Sequence, residues 1–296
     1  MMAITLRQLH YFEALARHGH FGRAAEASAV SQPALSVQIR ELESALGTDL
    51  FERGPRQARL TPFGERAAPR IAAILRGVEE LSELARAAGG DLSGRLRLGL
   101  IPTVAPYLVP RLVRAVAEAR PGLDLDIRET VTPRLLEELG EGRLDAAIVA
   151  LPLGEPTLVE APLLSETFVL VRPEAEAGMP IPDRETLGER RLLLLEEGHC
   201  FRDQALSFCA LRPSRPGAGL DGASLATLVR MVGAGLGVTL IPEMAVEAET
   251  RAAPVATARF PEPQPRREIG MVWRRTTPLA PRLGDLAEDL RAALAG

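Results

Sequence analysis

The chain contains no lysine: all 35 of its basic residues are arginine, which records a GC-rich genome rather than a chemistry. Cysteine is almost as scarce, with two in 296 residues, so a disulfide framework is excluded and a reducing cytoplasm suits the protein. Long apolar runs are missing too, and nothing approaches the ~18 residues of a membrane helix. Met1 to Gln8 shows no charged lead followed by an apolar run, so no secretory signal is expected and no membrane partner. The formal charge of −4 argues against a protein coated in nucleic acid, though it leaves room for a small DNA-reading surface. The length suits about two domains with real cores.

Both cysteines fall in one stretch, Glu197 to Cys209, and His199 directly precedes the first. A thiolate is the reactive form of cysteine and nearby positive charge favours it. His199 and Arg202 are candidates to supply that charge to Cys200, and Asp203 to orient either of them. Cys209 is close enough in sequence to resolve an oxidised Cys200, the logic of a sensor thiol with a partner. The plain alternative is two small buried core residues. A zinc site is poorly supported, because Cys200, Cys209 and His199 leave one of four usual ligands unsupplied. Were residues 200 to 209 one helix, the two Cα atoms would stand ~13 Å apart. A disulfide needs them within ~7 Å. Oxidation would then be a conformational switch.

The N-terminal residues 1–61 predict a compact helical unit. Leu6, Leu9, Phe12 and Ala16 line one face of a first helix that breaks at Gly19, and a second short helix carries Ala24, Ala25 and Ala27. Ser31 suits an N-cap and Pro33 is tolerated in the first turn of a third helix. There Leu35, Ile39, Leu42 and Leu46 form one buried stripe. Opposite it stand Pro33, Ser36, Val37 and Arg40, with Ser31 and Gln32 at the helix start. Two short helices, a tight turn and a third with polar residues outward describe a helix-turn-helix, whose last helix enters the major groove. A hairpin wing around Gly54-Pro55 follows, with Arg53, Arg56 and Arg59 placed to meet phosphates or a minor groove. Seven Arg against six acidic residues over 1–60 leave a weak charge signal, so a three-helix protein-interaction module is the competing reading.

Residues 62–88 predict one long helix. Ala67, Ile71, Ile74, Val78, Leu81, Ala85 and Ala88 recur at alternating spacings of four and three, the seam of a coiled coil that needs a partner. The alternative is an amphipathic helix packed on its own domain. A hinge at 89–94 leads into alternating strands and helices over 95–296, with a parallel α/β pattern as far as Leu151 and a second α/β half after Pro162. Strands are expected at Arg95–Leu100, Leu123–Ile127, Ala146–Leu151, Thr167–Val171, Arg191–Leu195, Val238–Pro242 and Arg267–Arg274. The domain divides into a first half, 95–163 with 267–296, and a second, 164–266. The crossings between them frame a cleft, where ligand sites concentrate. Gly233-Ala234-Gly235-Leu236-Gly237 mimics a dinucleotide loop, but it follows a helix and precedes a strand, so a helix C-cap fits better. His10, His18 and His20 have no cysteine nearby and suit surface or core roles.

The run Phe21-Gly22-Arg23-Ala24-Ala25, then Ser31 through Glu43, then Leu50-Phe51-Glu52-Arg53 and Leu60-Thr61-Pro62-Phe63-Gly64, resembles the winged helix-turn-helix of LysR-type transcriptional regulators. Over essentially the whole chain the resemblance is to their hydrogen-peroxide-sensing OxyR branch. It is carried by Gly99-Leu100-Ile101-Pro102-Thr103-Val104, by Gly198-His199-Cys200-Phe201-Arg202-Asp203-Gln204-Ala205 with Cys209, and by Glu268-Ile269-Gly270-Met271-Val272-Trp273.

That resemblance implies an all-α winged helix-turn-helix and long linker helix, followed by an α/β regulatory domain of two Rossmann-like halves, as in periplasmic binding proteins. It implies a transcriptional regulator and not an enzyme, with no cofactor and hydrogen peroxide as its signal. Cys200 would be oxidised to a sulfenic acid and Cys209 would resolve it as a disulfide. Thr103, His199, Arg202 and Asp203 would belong to the peroxide pocket, with Thr132 a weaker member. Ser31, Gln32, Pro33, Ser36, Arg40 and Arg53 would meet promoter DNA. The implied partners are double-stranded DNA, a second copy through the linker helix, a homotetramer, and RNA polymerase. Phe201 departs from the pattern, where a smaller aliphatic residue is expected, and residues 210–219 are unusually rich in Pro, Arg and Gly. Three other readings compete: a LysR-type regulator binding a small organic acid in the cleft, a periplasmic binding protein, and a thiol peroxidase.

Overall fold

The computed structural model describes residues 4–53, 58–88, 92–208 and 221–295. The chain forms two units, Met1–Ser82 and Glu83–Gly296.

In the first unit, α1 (Leu6–His18) opens with a capping box in which Thr5 Oγ1 accepts from the Gln8 amide and the Gln8 side chain accepts from the Thr5 N–H. Its buried apolar face is Leu9, Phe12 and Leu15. The expected stripe is therefore displaced: Leu6 is 43% exposed at the first turn, beyond the edge of the core, and Leu15 replaces Ala16 as the deepest contact. In α2 (Phe21–Ala27) the N-cap is His20, whose Nδ1 accepts from the Gly22 amide at 3.0 Å, so this histidine has a local structural role. Ser31 caps α3 (Gln32–Leu46) through the Ala34 amide, and Leu35, Ile39 and Leu42 pack inward as their spacing predicts. Glu43, a polar residue at the end of that stripe, is also buried. Its Oε1 accepts from the Leu50 and Phe51 amides at 2.9 and 3.2 Å, fastening the turn into the wing. The wing is an antiparallel pair, β1 (Phe51–Arg53) and β2 (Ala58–Leu60); its expected turn at Gly54-Pro55 and Arg56 lie outside the described residues.

From Pro62 a single helix, α4 (Pro62–Ala88), leaves the domain. Ile71 and Leu75 are buried in the core of the first unit, whereas Ile74, Val78 and Leu81 are 51%, 38% and 67% exposed. Part of the expected seam thus serves the helix's own domain: Ile71 turns inward. The side chains of Ala85 and Ala88 are not described.

The second unit begins with β3 (Gly94–Leu100), α5 (Ala105–Ala119), β4 (Leu123–Glu129), α6 (Thr132–Gly140) and β5 (Ala146–Leu151). These three strands are parallel, with β3 between β4 and β5. Ala146–Leu151 is buried at every position, as a central strand covered on both faces must be. Next, β6 (Leu158–Pro173) runs sixteen residues without a break, so the first crossing is a continuous strand. The second half follows as α7 (Arg184–Glu189), β7 (Leu194–Leu195), α8 (Cys200–Phe208), β8 (Asp221–Gly222), α9 (Leu225–Gly233), β9 (Thr239–Pro242), α10 (Val246–Thr250) and β10 (Val255–Arg259). The return crossing is β11 (Arg266–Arg274), and α11 (Ala280–Leu294) packs back on the first half.

The sheet order is β10-β6-β11-β5-β3-β4, with β9 also on β6. The parallel pairing expected of the first strands holds for β3, β4 and β5, and the crossing strands add antiparallel pairs. Both long crossing strands pair antiparallel with each other, and β9 and β10 pair antiparallel with β6. The expected strand at 191–195 contracts to two residues beside β8, with an isolated parallel bridge from Leu192 to Val238. The glycine run is the end of α9, with Gly235 at φ +78, a helix terminus and not a phosphate loop. Each half has its own core.

Candidate functional site

The sensor stretch begins where β7 ends. Gly198 adopts φ +94, a conformation that costs glycine little, and turns the chain into α8. A Cβ at Gly198 would lie 3.7 Å from Val131 Cγ2, so this turn rests against the start of α6, whose first residue is Thr132. Cys200 is the first residue of α8 and is half-buried. Its side chain packs against the core of the first half, while that of Phe201 is buried in the core of the second. Adjacent residues therefore bridge the two halves. Cys209 lies outside the described residues.

Around this junction is a polar network. Thr103, on the turn after β3, is buried; its Oγ1 accepts from Arg267 Nη1 at 2.9 Å and its carbonyl from Nη2 at 3.0 Å. Arg267 Nε donates to Glu166 Oε1 at 2.8 Å, and this ion pair is almost fully enclosed, with side-chain exposures of 0% and 6%. The other Glu166 oxygen accepts from the Met244 amide at 3.2 Å. The Arg267 guanidinium sits 5.2 Å from the centre of the Phe201 ring, linking the network to α8. Nearby, Tyr107 on α5 donates to Glu249 on α10 at 2.7 Å, a second tie between the halves. Burial, reinforced by Glu249, holds the Tyr107 hydroxyl well above its ordinary pKa, so it stays a donor.

Two buried polar atoms here have no hydrogen-bond partner among the described residues: Thr132 Oγ1 and Gln204 Oε1. Gln204 follows Cys200 by four positions, one helical turn. Arg202 Nη1 donates to the Leu195 carbonyl at 2.7 Å, tying α8 to β7. Asp203 is exposed and lines an outer groove with Gln204, Ser207, Phe208 and Arg266. The charge expected of His199 is absent. Burial lowers its pKa below 6.5, and Glu196 offsets this only in part, so the imidazole is neutral at neutral pH.

Arg267, Glu166 and Gln204 were not among the residues expected from sequence. Period-two alternation carries a signal for the first two: Arg267 shares a strand face with buried Ile269 and Met271, and Glu166 with buried Phe168. Buried opposite charges on facing strands call for each other.

On α3, Ser31, Gln32, Pro33 and Arg40 are exposed and Ser36 is half-buried, away from the Leu35–Leu42 stripe. Arg40 Nε donates to the Ser36 carbonyl at 3.3 Å. Arg53 is in β1, and its side chain is not described.

A helix-turn-helix head followed by an α/β domain of two halves defines a bacterial regulator. Residues 6–65 match the bacterial regulatory helix-turn-helix protein, lysR family, and residues 89–295 match the LysR substrate binding domain. The chain belongs to the LysR family of DNA-binding transcriptional regulators, in its OxyR branch. It is 46% identical to a probable hydrogen peroxide-inducible genes activator of Streptomyces viridosporus, over 98% of this chain and 94% of that protein. It is 40% identical to the DNA-binding transcriptional dual regulator OxyR of Escherichia coli K12, over 99% and 97%. A hydrogen peroxide-bound cysteine-to-serine variant of Corynebacterium glutamicum OxyR superposes with a TM-score of 0.66 at 37% identity, over 99% and 93% of the two chains.

Proposed function

We propose that this regulator senses hydrogen peroxide through Cys200. The observation that carries the reading is a partly buried thiol at the junction of two halves, with an unpartnered buried Gln204 Oε1 one turn along α8 and an unpartnered buried Thr132 Oγ1 at the start of α6, where the Gly198 turn rests against Val131. A small molecule that both donates and accepts hydrogen bonds satisfies such atoms, and peroxide is one. Thr103 and Arg267 add polar groups on the cleft side. His199 contributes as a neutral imidazole, able to donate from one nitrogen and accept at the other. Arg202 acts by anchoring the start of α8, and Asp203 by its place on the outer groove.

Attack by the Cys200 thiolate on one peroxide oxygen forms an S–O bond, breaks O–O and releases hydroxide, which is protonated to water. The Cys209 thiolate then attacks the sulfenic sulfur; S–S forms, S–O breaks, and a second water leaves. The two ends of α8 are ~12 Å apart by helical rise. A disulfide needs its two Cα atoms within ~7 Å, and Cys209 follows the far end of α8 in the sequence. The bond therefore requires α8 to refold, and that refolding is the signal. It travels through the hinge at 89–94 to a DNA head whose Ser31, Gln32, Pro33, Ser36, Arg40 and Arg53 meet promoter DNA in the cytoplasm. Exposed Ile74, Val78 and Leu81 on α4 suit a dimer seam, and the resemblance to OxyR further implies a tetramer through the regulatory domains and RNA polymerase as a partner.

An organic acid in the cleft is the weaker reading. Arg267 is already neutralised by Glu166, so it offers a carboxylate ligand no uncompensated charge. Counting free thiols after one equivalent of peroxide tests the proposal, alongside promoter binding. The wild type should lose two thiols and change its footprint; Cys200→Ser should lose none, and Cys209→Ser should lose one. Retention of both thiols in the wild type would sink the reading.

A further inference from the structure

Helix α8 is held on the second half by an aromatic contact at each end. At its start, Phe201, 2% exposed, meets Phe168 of β6 edge-on, with ring centres 5.0 Å apart at 72°. The other face of chemistry at this ring is the Arg267 guanidinium, 5.2 Å from the ring centre. At the end of α8, Phe208 meets Phe260 at 5.0 Å and 67°. Phe260 is itself buried, just beyond β10. Between these ends, Arg202 donates to the Leu195 carbonyl at 2.7 Å and so ties α8 to β7. Four of the eight phenylalanines in the chain are thus committed to one nine-residue helix.

We propose that Phe201 and Phe208 are positioning residues for the thiol chemistry: their ring contacts hold Cys200 in its reduced seat and set how readily α8 releases it. The proposal rests on the peroxide reading above and deepens it. Before the disulfide can form, α8 must unwind. Unwinding carries Phe201 and Phe208 away from fixed partners on β6, on β11 and beyond β10. Each contact belongs to the reduced form, so each raises the oxidant strength needed to close the disulfide. It also lengthens the life of the sulfenic acid that precedes it. An unbranched or aliphatic side chain at 201 fills apolar space, but it has no π face for Arg267 and no edge for Phe168. The aromatic residue at this position thereby makes the switch less readily thrown.

The test uses the full-length chain, with Phe201→Leu and Phe208→Leu made separately and Val232→Ala as a control in the same core but on α9. The Cys200–Cys209 midpoint potential is read against glutathione buffers. Sulfenic acid lifetime is read with a cyclic-dione trap after one equivalent of peroxide. Loss of one desolvated ring contact should favour the disulfide about tenfold. That moves the midpoint about 30 mV more negative in each leucine variant. The trapped sulfenic acid should fall in both, and Val232→Ala should match the wild type in both readouts. Should either leucine variant fail to fold, the other still decides. Unchanged potentials and sulfenic lifetimes in a wild-type background that does form the disulfide would overturn the proposal alone. A shift in Val232→Ala as large as in the leucine variants would overturn it too, by assigning the effect to core loosening. A wild type that forms no disulfide would overturn the peroxide reading and the proposal together.

Discussion

Removing Glu166 should cost the regulatory domain far more than removing any surface acid. Its carboxylate neutralises Arg267 at 2.7 Å, with the two side chains 6% and 0% exposed, and also accepts from the Met244 amide. In Glu166→Ala the guanidinium keeps its bonds to Thr103 but is left as an uncompensated buried charge. Breaking such a pair from one side costs about 3–5 kcal/mol, a large part of the 5–15 kcal/mol that holds a typical domain. With a urea slope of roughly 2 kcal/mol per molar, the unfolding midpoint should fall by about 1.5–2.5 M. The double variant Glu166→Leu with Arg267→Met removes both charges and keeps most of the apolar volume, so it should recover most of that loss. Urea titration of the wild type and these two variants, followed by the fluorescence of Trp273, makes the comparison directly. A single Glu166→Ala midpoint within about 0.5 M of wild type would refute the claim, since it would correspond to only ~1 kcal/mol. So would a double variant no more stable than the single.

Three further predictions concern other parts of the chain. His199 has a folded pKa below its unfolded 6.5, so as pH falls through 6.5 the unfolded chain takes up the proton first. The stability tied to this site is complete above pH 6.5 and is lost as pH falls toward the folded value; His199→Gln should flatten that part of the midpoint-against-pH curve, and parallel curves would contradict it. Arg40→Ala should weaken specific promoter binding by about 10- to 100-fold if the guanidinium reads a guanine, as a footprint at moderate salt would register. Ile74→Asp places a charge on the exposed face of α4 and should convert the proposed dimer to monomer at micromolar concentration. A wild-type mass by light scattering would show that this face is not the interface.

Much of this was legible in the residues. Helix α3 could be read because Ser31, Pro33 and the Leu35–Leu42 stripe agree on one start and one face, and β5 because six apolar residues have no other stable home. The junction was less legible. Strand β6 reads as interrupted, because Pro162, Ser165 and Glu166 break its apolar run; only pairing with β11, including the register shift at Ile269/Gly270, makes it continuous. Sequence proximity placed His199 and Arg202 beside Cys200 as cations. Burial, which no local window reports, makes the first neutral, and the second is turned to the Leu195 carbonyl. The arginine joined to Thr103 comes instead from position 267, 164 residues further along the chain. Such distant partners are set by topology, and a single sequence carries only the faint strand-face signal for them.

Whether α8 leaves its fold when the thiols are oxidised decides the mechanism most directly. Amide hydrogen exchange across Cys200–Phe208, measured on the fully reduced protein and on the same protein after one equivalent of peroxide, reads this without assuming an oxidised structure. The reduced helix should be protected, and that protection should collapse on oxidation while β5 and α9 keep theirs. Equal protection of α8 in both forms, with the disulfide present, would contradict the mechanism outright.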